Sequence, residues 1–107
     1  MKSLYTDIEI KTLVDKMSQN DSAAILYGAK SDSPILNLNA VLFGAKFGYK
    51  SQEYIDILKT KLRASEASFM GTPLKIYVDA ALDVIGAQKY NGDDADIQRL
   101  IDSKFNF

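Results

Sequence analysis

The chain contains no cysteine, no histidine and no tryptophan, and only two prolines. Without cysteine, disulfides, thiolate nucleophiles and cysteine metal sites are excluded, which fits a reducing compartment. Without histidine, the commonest general base near neutral pH is missing, and with it the other good zinc ligand and every imidazole-based triad. Catalysis would have to rest on carboxylates, lysines or tyrosines alone. Positive charge is not in excess either. The 13 Lys and Arg stand against 14 Asp and Glu, a formal charge of −1, so no strong field draws in phosphate backbones and nucleic acid is not an expected partner. No apolar run approaches the ~20 residues that cross a bilayer. The stretch Met1–Asp7 is too polar for the apolar segment of a signal peptide. The expectation is a cytoplasmic protein with no membrane contact, no cofactor and no metal.

What is present is enough to fold. The 107 residues are 47% hydrophobic and 25% charged, the balance of an ordinary soluble domain rather than of a disordered chain. One helical domain over residues 1–107 is expected. Thr6-Asp7-Ile8-Glu9 has the form of a capping box, and Ile10, Leu13, Val14 and Met17 follow on one helical face, predicting a helix from about Asp7 to Ser18. Asn20-Asp21-Ser22 offers N-caps for a short helix reaching Lys30. Ser33-Pro34 and Thr72-Pro73 each pair a capping hydroxyl with a proline where its missing N–H costs nothing, so each predicts the start of a long apolar helix. The first should end at Gly48 and the second near Gln88. A shorter, more charged helix follows each, capped by Ser51 and by Asp93. No stretch alternates as a strand would, so the fold class expected is all-α with about six helices.

One phrase recurs: LYGAK at Leu26–Lys30, LFGAK at Leu42–Lys46 and VIGAQK at Val84–Lys89. Glycine inside a helix costs about 1 kcal/mol relative to alanine, so an offsetting gain is needed. Close approach of a neighbouring helix at Gly28, Gly44 and Gly86 would supply it, and a bulky residue at Gly44 or Gly86 should then overpack. A phosphate cradle is disfavoured, because single glycines precede Lys30 and Lys46 near helix ends instead of a glycine run opening a helix. An offset of 42 residues lays Leu42–Ala45 on Val84–Ala87, Ser51 on Asp93, Ile55 on Ile97 and Leu58 on Leu100. An offset of 45 lays Ile10, Leu13 and Met17 on Ile55, Leu58 and Leu62. Periods near these values mark two-helix repeats.

With those offsets and the phrase Phe43-Gly44-Ala45-Lys46-Phe47-Gly48, the chain resembles the HEAT and armadillo-like repeat families. The resemblance implies helix-pair repeats, as an open stack or a compact bundle, over roughly residues 6–105.

Asp93-Asp94-Ala95-Asp96 reads as an acidic helix start rather than a calcium loop, since the glycine precedes the acids. Asp79 and Asp83, four apart, read as a solvated stripe because the further Glu and His of a helical-bundle metal site are missing. Phe43, Phe47, Phe69 and Tyr77 are assigned to the core. Tyr5, Tyr49, Tyr54 and Tyr90 fall at helix starts or turns where one side can stay wet. Tyr49, Tyr54, Tyr90 and the outward-facing Asp56 are the candidate partner-binding residues. Phe105-Asn106-Phe107 should fold back over an open end, the alternative being to dock on a partner. The expected role is a non-enzymatic module that binds a protein partner, with self-association possible. The alternatives are a small inhibitor of immunity-protein type that neutralises a toxin or a host enzyme, and a phage or assembly subunit.

Overall fold

A computed structural model of the chain describes residues 6–102. Among them are six helices: α1 (Asp7–Ser18), α2 (Ser22–Lys30), α3 (Pro34–Phe47), α4 (Gln52–Ile57, prolonged by a π-helical turn at Leu58–Leu62), α5 (Leu74–Val84) and α6 (Asp94–Asp102). Two strands of two residues each, β1 (Ser68–Phe69) and β2 (Thr72–Pro73), make a small hairpin before α5. Tyr5 and the Phe105–Phe107 tail lie outside the described residues.

The start signals act largely as their chemistry requires. Thr6 and Glu9 form the reciprocal capping box of α1, Asp21 accepts from the Ala24 amide, and Ser33 and Ser51 cap α3 and α4 with Pro34 in the first turn of α3. The second hydroxyl-proline pair behaves differently. Thr72 and Pro73 are consumed by the hairpin, paired with Phe69 and Ser68, so α5 begins one residue later without a side-chain cap.

Three helices end alike. After α1, α3 and α5 the chain turns through a positive φ at Asn20 (62°), Gly48 (66°) and Gly86 (76°). In each, the next amide reaches back to the helix: Asp21 to Lys16, Tyr49 to Gly44 and Ala87 to Leu82. This is the closing motif that satisfies the last carbonyls of a helix, and it favours glycine or asparagine because a Cβ is strained there. Gly86 therefore stops α5 at Val84, short of the expected Gln88.

α3 occupies the centre. Leu36 through Leu42 are buried without interruption, and α1, α2, α5 and α6 all pack against this helix. A helix apolar on every side needs neighbours on every side. Two of its buried residues are polar. Asn37 donates from its amide to the carbonyls of Gly28 and Ser31, each at 2.9 Å, and so closes the buried C-terminal end of α2. Asn39 donates to the Ile35 carbonyl at 2.9 Å, but its own carbonyl oxygen is buried with no donor among the described residues, a standing cost to the core. The radius of gyration is 12.5 Å, with extents of 36 × 27 × 24 Å. A compact domain of this length is expected near 13 Å, so the helices form a closed bundle around α3.

Candidate functional site

The residues expected to face a partner separate into three environments. Tyr54 is fully buried and is not a surface residue. Its hydroxyl donates to the Ala40 carbonyl at 2.7 Å, and burial holds the phenol well above the usual tyrosine pKa. The hydroxyl reaches that carbonyl across Gly44. A Cβ on Gly44 would sit 2.6 Å from the Tyr54 Cζ, closer than atoms pack. Tyr49 is half-buried, its ring 4.8 Å from that of Tyr54, so the two tyrosines form one stack under the α3–α4 turn. The first turn of α4 carries the Ser51 cap, whose placement of Tyr54 as the third helical residue aims the ring inward. A tyrosine at a helix start reads as wet from sequence, and only the empty space at Gly44 reveals its destination.

Asp56 is exposed on α4 and accepts from the Gln52 amide at 2.8 Å, leaving a solvent-facing carboxylate. Tyr90 belongs to a different cluster, where α5 hands over to α6. Its backbone N–H donates to Asp83 Oδ2 at 2.8 Å, and its hydroxyl donates to Asp96 Oδ2 through a short hydrogen bond. That bond, with lesser help from burial and nearby acids, pushes the Tyr90 pKa up to about 12. Asp93 completes the junction by accepting from the Ala95 amide at 2.9 Å. The acids of this loop are engaged in starting α6 and tying it to α5, as their positions in a first helical turn favour.

Asp79 and Asp83 do not form a solvated stripe. Both are partly buried, Asp79 taking Arg63 Nε at 2.9 Å and Asp83 holding the Tyr90 amide. Arg63 reaches Asp79 from just beyond the π-helical turn, whose wider ring is closed by the Arg63 N–H bonding to the Leu58 carbonyl five residues back. From the same turn, Lys61 donates to the carbonyls of Lys30 and Ser31 at the end of α2. Lys30 pairs with Glu53 at 2.9 Å and Lys46 lies over the rings of Phe43 and Phe47. Of these two lysines of the recurring phrase, Lys30 thus ties α2 to α4, while Lys46 stays on its own helix. Among the described residues no group of three or more acids is gathered closely enough to hold a metal ion.

One residue that the sequence reading passed over stands out physically. The turn of the hairpin is Met70-Gly71, and both residues have positive φ, 53° and 82°, as the two-residue turn matching strand twist requires. Glycine suits this conformation and methionine does not. Met70 is also 92% exposed, the most exposed large apolar side chain among the described residues. The hairpin under it is anchored. Phe69 packs against the core, and the Leu74 amide donates to the Ala67 carbonyl at 2.9 Å across its base. The result is a flexible, polarisable thioether presented on a short fixed mount. The only hint in the sequence is the Gly71 that permits the turn, because Met-Gly lacks the Asn-Gly or Asp-Gly signature of such hairpins. No protein family, curated protein or solved structure matches the chain.

Proposed function

We propose that the protein acts by binding another protein rather than by catalysis, and that the hairpin tip is its contact element. The observation that carries this is Met70, an apolar side chain held in the left-handed region and turned fully into water. Folding alone gains nothing from either feature. A left-handed L-residue costs roughly 1–2 kcal/mol, and an exposed thioether returns none of it until it is buried against something. Methionine adapts its shape to the surface it meets, which suits a contact made by one protruding residue. Asp56 and the exposed edge of Tyr49 are secondary candidates on the α4 side. A helix-pair origin is supported at the outer positions of the 45-residue offset, where Ile10 and Met17 are buried like Ile55 and Leu62, but not at the middle one, where Leu13 is half-buried and Leu58 fully buried.

The test compares Met70→Glu with Ile8→Glu in capture experiments from the native host, each variant first shown by circular dichroism to keep its helix content. Ile8 is 79% exposed on α1 and serves as the control for loss of any apolar surface residue. A partner held by the wild type and by Ile8→Glu, but released by Met70→Glu, is the expected result. Retention of every partner by Met70→Glu would refute the assignment. Sedimentation of the purified protein, against its chain mass of 11.9 kDa, shows whether that partner is a second copy.

A further inference from the structure

The junction that ties α6 to α5 contains Asn91-Gly92, and we propose that this pair is a self-modifying site: Asn91 deamidates spontaneously, and its isoaspartyl product loosens α6. In this reaction the backbone nitrogen of Gly92 loses its proton to solvent and attacks Asn91 Cγ. The new C–N bond closes a succinimide as Cγ–Nδ2 breaks and ammonia leaves. Water then opens the ring at one of its two carbonyls, giving aspartate or isoaspartate. The net change is one water consumed and one ammonia released, with no other reactant.

Three conditions govern the attack: a free side-chain amide, a following N–H not already bonded, and no Cβ shielding that nitrogen. Asn91 meets all three. It is exposed, no hydrogen bond holds its side chain, and the Gly92 amide donates to nothing among the described residues. The other described asparagines each fail. Asn20 is followed by Asp21, whose amide is bonded to the Lys16 carbonyl at 3.1 Å. Asn37 is held by the Gly28 and Ser31 carbonyls and Asn39 by the Ile35 carbonyl. Both lie inside α3, where the next amides belong to the helix ladder.

The glycine cannot easily be exchanged. Tyr90 folds its ring over Gly92, and a Cβ there would fall 2.7 Å from Tyr90 Cε2. The packing that lets Tyr90 reach Asp96 therefore holds residue 92 to glycine, with no Cβ beside the reactive nitrogen. The damage is also well placed. Isoaspartate inserts a carbon into the main chain between Tyr90 and Gly92, inside the loop that the Tyr90–Asp96 bond closes and two residues before the Asp93 cap. Aspartate adds charge there but no chain length. Loosening α6 uncovers the side of α5 and α3 against which Leu100 is buried.

The experiment ages the intact folded protein at mildly alkaline pH and follows each asparagine by peptide mass mapping that separates aspartate from isoaspartate. Hydrogen exchange of the α6 amides is then compared among fresh protein, the purified isoaspartyl form and Asn91→Asp. Residue 91 is expected to convert before Asn20, Asn37 and Asn39, with isoaspartate predominating and ammonia released in equal amount. Exchange in α6 is expected to quicken in the isoaspartyl form alone, and Asn91→Gln should age without change at this position. An Asn91 that outlasts Asn20 overturns the proposal. So does an isoaspartyl form whose α6 exchanges like the fresh protein, or an Asn91→Asp variant that exchanges as fast as the isoaspartyl form.

Discussion

Gly44 and Gly86 occupy the same place in the phrases LFGA and VIGA, yet the two halves of the molecule use them for opposite reasons. Around α3 glycine is a space. Gly44 sits in the last turn of α3 with ordinary helical backbone, and its missing side chain is where Tyr54 lies; Gly28 likewise admits Met17 and the Leu36 carbonyl oxygen, the latter 3.1 Å from where a Cβ would be. Around α5 glycine is a conformation. Gly86 has φ +76°, and a Cβ there would meet only Lys50 Nζ at 3.5 Å. The expected close crossing at Gly86 is therefore absent, and the 42-residue offset pairs a packing glycine with a helix stop. In this bundle an identical local phrase carries no fixed meaning; the neighbours assign it.

The comparison breaks first at Gly44. Gly44→Ala should destabilise by about 2–3 kcal/mol in denaturant unfolding, despite the gain of roughly 1 kcal/mol in helix propensity, because the Tyr54 ring has nowhere to move. A neutral or stabilising Gly44→Ala would mean that the space is not what glycine provides.

Next comes Tyr54→Phe, which removes the bond to Ala40 and should cost about 1 kcal/mol. This loss has a pH signature. The folded phenol titrates above its usual 10.0, so the tyrosine's advantage is whole below that pH and disappears as pH rises through the folded value. The stability gap between wild type and Tyr54→Phe should therefore be constant near neutrality and shrink above pH 10.0. A gap that widens there would reverse the assignment.

Gly86→Ala should cost about 1 kcal/mol, all of it backbone strain. Gly86→Asn should recover part of that, since asparagine tolerates the left-handed region and closes α1 at Asn20 in the same way. Asparagine at Gly44 should be worse than alanine there. Equal responses at both glycines would erase the distinction drawn above.

The smallest effect is expected at the hairpin and has the opposite sign. Met70→Gly relieves a strain of roughly 1–2 kcal/mol and loses about 0.5–1 kcal/mol to glycine's greater unfolded entropy. A net gain of roughly 0–1.5 kcal/mol in thermal or denaturant unfolding should accompany loss of the binding assigned to Met70. Stability and binding moving together at this position would remove the reason for a methionine there.

Much of the architecture was legible in the residues. The Thr6–Glu9 capping box, Asp21, Ser33-Pro34 and Ser51 mark helix starts by local hydrogen bonding, which needs no distant partner, and Gly48 marks a stop for the same reason. The apolar stripes of α1 and α4 likewise point to the core they enter. Of the aromatics assigned to the core, Tyr77 is buried, while Phe43, Phe47 and Phe69 pack against it half-exposed. The candidate surface was read less well. Tyr54 at a helix start gave no sign of its burial, and Tyr90 gave none of its bond to Asp96, because both depend on a glycine elsewhere being empty.

The sequence by itself determined that this chain is helical, where most of its helices begin, and which chemistry it lacks, since caps, periodicity and composition act over a few residues. Tertiary structure alone decided that Gly44 is a hole and that no helix crosses at Gly86, that Thr72-Pro73 pairs as strand before it can cap a helix, and that Met70 ends in water. Each of those outcomes is set by what another segment places within a few ångströms, and a linear spacing carries no record of such distances.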